Sequence, residues 1–109
     1  MAERQVFVYW ADLELRAEDD PGAPEAAVTI ALCGHWEHDP PCRWPHNNND
    51  PTADGVFRTV FAAVPAEESE VRARVEGALR ARPWRVRASG PRDPDADELA
   101  LGQRIAETR

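Results

Sequence analysis

The 109-residue sequence predicts an α+β domain in which helices pack on one face of a mostly antiparallel sheet. Three observations lead to this class. Apolar residues alternate along several short segments, one segment combines helical periodicity with charges that match the helix dipole, and turn-forming residues separate the segments. The hydrophobic fraction of 42% is typical of globular proteins, so the ten prolines do not indicate disorder. We therefore expect a single domain over residues 1–109, with a metal-binding loop at 33–50.

The strand predictions come from alternation. The odd positions from Phe7 to Leu15 are apolar, whereas the even positions change from apolar to charged after Trp10, which is typical of a strand that is first buried on both faces and then on one. The polar segment 47–55 is expected to form solvated turns rather than a calcium site. The predicted strands are 5–17, 27–34, 56–64 and 84–88.

Arg58 is an unusual residue in this pattern because it lies within the predicted central strand. A guanidinium in that position needs an anionic partner. We expect a carboxylate of the first strand, such as Glu14, and keep an anionic substrate as the alternative.

Two helices are predicted, at about 66–82 and 94–107. In the first, proline precedes the helix, glutamates occupy the first turn and arginines the last, which complements the helix dipole. In the second, Asp93 is a good N-cap before Pro94. In the first helix, Val71, Val75, Ala78 and Leu79 are expected to form a buried stripe. Three exposed i,i+4 ion pairs are also expected, Glu68–Arg72, Glu70–Arg74 and Glu76–Arg80.

Composition excludes several classes of function. No apolar run approaches the roughly 20 residues needed to cross a bilayer, and the N-terminus lacks a secretory apolar region. A cytoplasmic protein with reduced cysteines is therefore expected. The net charge of −7 argues against general nucleic-acid affinity, because phosphates would not be attracted. The arginines between 72 and 92 are expected to pair with glutamates.

The segment 33–50 reads CGHWEHDPPCRWPHNNND and contains both cysteines and all three histidines of the chain. Thiolate and imidazole are the ligands that zinc prefers, so their concentration here predicts a zinc site. The three prolines exclude a helix through the segment, and a loop must gather the ligands. The candidate ligands are Cys33, His35, His38, Cys42 and His46.

The spacing leaves the choice of ligands open. If 27–34 is a strand, Cys33 and His35 share one face, and Cys42 with His46 would complete a Cys2His2 site. His38 is then a spare ligand, or it replaces Cys33. A disulfide between Cys33 and Cys42, or a simply buried Cys33, are the alternatives to a metal.

Two tryptophans, Trp36 and Trp44, flank these candidates. We expect them to form a hydrophobic plug that holds down the loop, rather than a stacking platform for a ligand.

These features favour a small non-catalytic zinc-binding domain that binds a protein partner or self-associates. One alternative is a metal-dependent hydrolase, in which Glu37 or Asp39 would act as general base beside the ion. The other is a metal-free protein-interaction module.

Overall fold

The computed structural model describes residues 3–20, 22–33, 44–49, 55–81 and 84–106. Within these residues, four strands and three α-helices form an α+β fold with an antiparallel sheet, which confirms the predicted class. A short 3₁₀ turn precedes the second helix. In chain order the elements are β1 (Gln5–Glu14), α1 (Ala23–Cys33), β2 (His46–Asn49), β3 (Val56–Ala63), the 3₁₀ turn (Pro65–Glu67), α2 (Glu68–Arg80), β4 (Arg85–Arg92) and α3 (Ala96–Ala106).

The sheet has the strand order β2-β3-β1-β4, and every neighbouring pair is antiparallel. Leaving aside the 3₁₀ turn, the strands and α-helices from β1 to β4 follow the order βαββαβ, which is the split βαβ or ferredoxin-like arrangement. β1 and β3 are the central strands, and their register places Phe7 opposite Phe61. The two rings stack with centroids 5.5 Å apart. α3 is an addition after this unit.

One face of the sheet packs against α1 and α2. Because side chains alternate along a strand, the odd-numbered positions of β1 point to this face. They meet the buried stripe of α2, whose residues Val71, Val75 and Leu79 were predicted to face the core. The buried cluster consists of Tyr9, Ala11, Leu13, Val28, Leu32, Trp44, Phe57, Phe61, Ala63, Val71, Val75, Leu79 and Trp84.

The opposite face of the central strands is covered by α3, so the helices do not all share one face as expected. Val8 and Val60 on this face are fully buried. Gly102 of α3 lies against Val6 so closely that a Cβ atom at position 102 would come within 2.7 Å of Val6 Cγ2. Only glycine allows this approach. Few large side chains of α3 take part in this contact with the sheet, and Leu99 remains 41% exposed.

The strand predicted at 27–34 is wrong, because this region belongs to helix α1. The helix starts after a turn in which Asp20 accepts a hydrogen bond from the Gly22 amide (2.9 Å). Val28 and Leu32 are both buried, and they lie four residues apart on one helical face. Ile30 is 45% exposed, whereas a strand with this pattern would bury it with them. A short apolar run is compatible with both the helical period and the strand period, so the sequence pattern did not distinguish the two.

Other element boundaries also differ from the sequence prediction. β1 ends at Glu14 rather than at 17, and β2 forms where solvated turns were expected. β4 continues to Arg92 through Pro91, which an edge strand tolerates because one row of its amides needs no partner.

The two predicted helices also start later than expected. α2 starts at Glu68, after the 3₁₀ turn. The N-cap of α3 is Asp95 and not Asp93, because the Asp95 carboxylate accepts the Glu98 amide at 2.8 Å.

The charge pattern predicted for α2 is confirmed. Three i,i+4 ion pairs lie along its surface, with N–O distances of 3.3 Å for Glu68–Arg72, 3.0 Å for Glu70–Arg74 and 3.0 Å for Glu76–Arg80. All of these side chains are partly exposed, so each pair stabilises the helix by only about 0.5 kcal/mol or less. None of the helices in the described ranges is long and apolar enough to cross a membrane.

Two glycine substitutions test how α3 is docked. Gly102→Ala should destabilise the protein by about 1 to 3 kcal/mol, because the new methyl group overlaps Val6. Gly77→Ala is the matched control, since a Cβ atom there meets nothing within 4 Å. It should stabilise the protein by about 0.5 to 1 kcal/mol through helix propensity. Urea unfolding followed by circular dichroism measures both. Equal effects of the two substitutions would contradict the close contact.

Candidate functional site

The predicted metal ligands lie only partly within the described structure. Cys33 is the last residue of α1 and His46 is the first residue of β2, whereas His35, His38 and Cys42 lie outside the described residues. The expectation that Cys33 and His35 share a strand face is wrong, because Cys33 ends a helix. Across the ranges that the structure describes, no group of three or more His, Cys, Asp or Glu side chains is arranged to hold a metal ion.

Both ring nitrogens of His46 have hydrogen-bond partners. Nδ1 lies 3.1 Å from the carbonyl oxygen of Trp44, and because a carbonyl can only accept, Nδ1 must carry a proton. Nε2 lies 3.2 Å from Oγ1 of Thr29, so in the neutral ring it accepts the hydroxyl proton. The lone pair that His46 would offer to a metal is therefore already used.

The Thr29 hydroxyl also connects a second residue of β2 to α1. Asn48 Nδ2 donates to Thr29 Oγ1 (3.2 Å) and to the carbonyl oxygen of Glu25 (3.3 Å). The hydroxyl thus accepts from Asn48 and donates to His46, and chains of this kind strengthen one another. These polar contacts fasten the four-residue strand β2, His-Asn-Asn-Asn, to α1. In the sequence, the indication of these contacts is a single threonine, Thr29, within the apolar run of α1.

Trp44 lies between the candidate loop and β2 and is almost completely buried, at 2% exposure. Its Nε1 donates to Glu67 Oε1 (3.2 Å), and the guanidinium of Arg74 lies 4.8 Å from the ring centroid. Trp44 is therefore part of the hydrophobic core and not an exposed stacking platform. Trp36 lies outside the described residues.

Arg74 also reaches the other end of the candidate loop. It donates to the carbonyl oxygen of Ala31 (3.3 Å) near the end of α1, which has no basic residue in its own last turn. A cation in this position complements the partial negative charge at a helix C-terminus. The same residue therefore contacts both chain segments that flank residues 34–43, and it ties both of them to α2.

Arg58 does not pair with Glu14, which corrects the sequence prediction. It binds Glu98 of α3 in a bidentate contact, with Nε–Oε2 and Nη2–Oε1 distances of 2.7 and 2.5 Å. Glu14 instead lies 3.6 Å from Arg87, which also binds Asp12 at 3.0 Å. The partner of Arg58 is thus a carboxylate of the protein, as expected, but one from α3 and not from the first strand.

Glu98 has a second role that sequence reasoning missed. Its Oε1 accepts the Asp95 amide (3.0 Å) while the Asp95 side chain accepts the Glu98 amide, which forms a capping box. In the sequence, the Asp-x-x-Glu spacing from Asp95 to Glu98 indicates this capping box. Hydrogen bonds to Glu98 raise the pKa of the Arg58 guanidinium above its ordinary value, although burial opposes them. Glu98 therefore caps the start of α3 and, through its ion pair with Arg58, holds this helix against the sheet.

Neutralising Glu98 tests this pair. Glu98→Gln should lower the free energy of unfolding by about 1 to 3 kcal/mol at neutral pH, because Arg58 loses its counter-charge. Glu76→Gln, in an exposed pair of α2, should cost about 0.5 kcal/mol or less. With the pKa of Arg58 raised, its contribution is present below its unfolded-state pKa and is lost only in strongly alkaline solution. Indistinguishable effects in urea unfolding would contradict this role.

The Thr29 hydroxyl allows a second matched test. Thr29→Val leaves His46 and Asn48 without their shared partner and should cost about 1 to 2 kcal/mol. Thr59→Val is the control, since the Thr59 hydroxyl makes only a 3.5 Å contact to the Asn47 carbonyl and the residue is fully buried. This substitution should be nearly neutral. Thermal unfolding compares the two, and an equal loss would mean that the network around Thr29 has no special strength.

No protein family model, no curated protein and no solved structure matches this chain.

Proposed function

We propose that the protein is a small non-catalytic zinc-binding domain with the ligand set Cys33, His35, His38 and Cys42. The observation that supports this set is the bonding of His46, whose two ring nitrogens contact the Trp44 carbonyl and the Thr29 hydroxyl. Removing His46 from the five candidates leaves two thiols and two imidazoles. Structural zinc sites are commonly of this Cys2His2 type.

The surroundings of the candidate loop also favour a cation. Residue 33 ends α1, and helix C-termini carry partial negative charge, part of which Arg74 already offsets at the Ala31 carbonyl. Arg74 contacts the Ala31 carbonyl before residues 34–43 and the Trp44 ring after them, so both chain segments that flank the candidate ligands are fixed to α2.

A non-catalytic role is favoured over the hydrolase with Glu37 as general base. Four protein ligands saturate a tetrahedral zinc ion, whereas a catalytic ion keeps one position for water. On this proposal, the metal shapes a surface for a protein partner or for self-association in the reducing cytoplasm, where thiols stay available. The acidic net charge of −7 favours such a partner over nucleic acid.

Metal content distinguishes the ligand sets. In protein purified without chelator or metal-affinity resin, elemental analysis should find one zinc ion per chain. Cys42→Ser should lose it, because a thiolate ligand is removed. His46→Gln should retain it, although the fold becomes less stable, since the substitution disturbs the contacts with Thr29 and with the Trp44 carbonyl but removes no proposed ligand.

Two results would contradict the proposal. A wild-type protein that contains no zinc and does not take it up in a titration would reject the metal site altogether. Loss of zinc in His46→Gln, with the circular dichroism spectrum unchanged, would place His46 among the ligands and reject the set of four.

A further inference from the structure

The outer face of α1 has no cover in the described part of the structure. This helix is apolar on almost every side, with Glu25 as its only acidic residue and no basic residue in its last turn. Helices of this composition are normally buried all round. Val28 and Leu32 meet the core, yet Ile30 is 45% exposed and is the most exposed of the large apolar side chains in the described ranges.

A groove runs along this face. It has a volume of about 480 Å³ and lies between α1 and the segment that leads into it, with Ile30, Ala23 and Ala26 on one side and Trp84 in the wall. This volume is within the range of sites that bind small molecules or peptide side chains. The apolar part of the groove thus suits one or two aliphatic side chains.

Trp84 lines one side of the groove. The residue is only 5% exposed, and its Nε1 is buried from solvent without an acceptor among the described residues. A ligand in the groove would therefore contact the apolar atoms of Trp84 and not its N–H group.

The entrance of the groove is acidic. Glu18, Asp19 and Asp20 line it, with Arg16 as the nearby cation. Asp19 is engaged by the amide of Arg16 at 2.8 Å, which lowers the pKa of its carboxyl group. Glu18 also pairs with Arg16 (Oε1–Nε 3.2 Å), and both Glu18 and Asp20 are exposed to solvent. Three carboxylates against one guanidinium leave an excess of negative charge at this end.

We propose that this groove binds an extended segment of a partner protein in which leucine-sized side chains alternate with arginine or lysine. The apolar side chains would lie on Ile30, the alanines of α1 and Trp84, and the cations would pair with Glu18 and Asp20. A second copy of this chain is the poorer occupant, because a twofold contact brings the two acidic entrances together. The binding does not require the metal.

The experiment uses the full chain labelled with ¹⁵N and the probe peptide acetyl-Arg-Leu-Arg-Leu-Arg-amide. The indole N–H signal of Trp84, assigned with the variant Trp84→Phe, should shift saturably as the peptide is added up to about 1 mM. Ile30→Glu should weaken the binding by about tenfold or more, because it places a charge on the apolar surface. Since Ile30 is exposed, this variant should fold, which circular dichroism checks.

Two controls separate groove binding from general attraction. Leu99→Glu changes the other exposed large apolar residue, on α3, and should leave the titration unchanged. The peptide acetyl-Arg-Gly-Arg-Gly-Arg-amide has the same charge without apolar side chains and should cause no saturable shift. The proposal is overturned if the leucine peptide fails to shift the Trp84 signal, if the glycine peptide shifts it equally, or if Leu99→Glu weakens binding as much as Ile30→Glu.

Discussion

The structure depends on the burial of the central strands β1 and β3 on both of their faces. A sheet with one apolar face needs one layer of helices, whereas these strands carry apolar residues at odd and even positions alike and need two. α1 and α2 provide the first layer and α3 provides the second. The second layer covers Arg58, and a cation covered by a helix must be neutralised. Glu98 neutralises Arg58, and the same carboxylate caps the start of α3.

The two layers are held by different forces. The layer of α1 and α2 rests on a continuous apolar cluster that includes Trp44. The layer of α3 rests on one bidentate ion pair and on the close approach of Gly102 to Val6. Apolar packing tolerates small shifts, but a bidentate pair and a glycine contact each require one position. The placement of α3 is therefore specified more by geometry than by the area that it buries.

α1 contributes to both proposed sites. Its last residue, Cys33, is a candidate zinc ligand, and its residues 23–30 line the acidic groove. Ile30 lies three residues before Cys33, so the two proposed sites are neighbours on this helix although they use different residues. The inner face of α1 meanwhile fixes β2, because Thr29 contacts His46 and Asn48.

The sequence by itself determined the elements whose signals are local. α2 followed from its dipole-matched charges and apolar stripe, and β1 and β3 followed from alternation over many residues. The run at 27–34 was ambiguous, because Val28 and Leu32 satisfy a helical period while Ile30 completes an alternating one. Packing against the core selects the helix, in which Val28 and Leu32 are buried and Ile30 is exposed.

Only the tertiary structure decided the features that join residues far apart in the chain. Nothing local marks His-Asn-Asn-Asn as a strand, which forms because β3 and Thr29 offer partners to its polar groups. The partner of Arg58 is Glu98, forty residues away on α3, and no periodic pattern in the sequence indicates that these two residues meet. The contacts of His46 with Thr29 and Trp44 likewise depend on the tertiary structure. Hydrogen bonds and ion pairs act over a few ångströms, so the choice of partner depends on which elements the fold brings together.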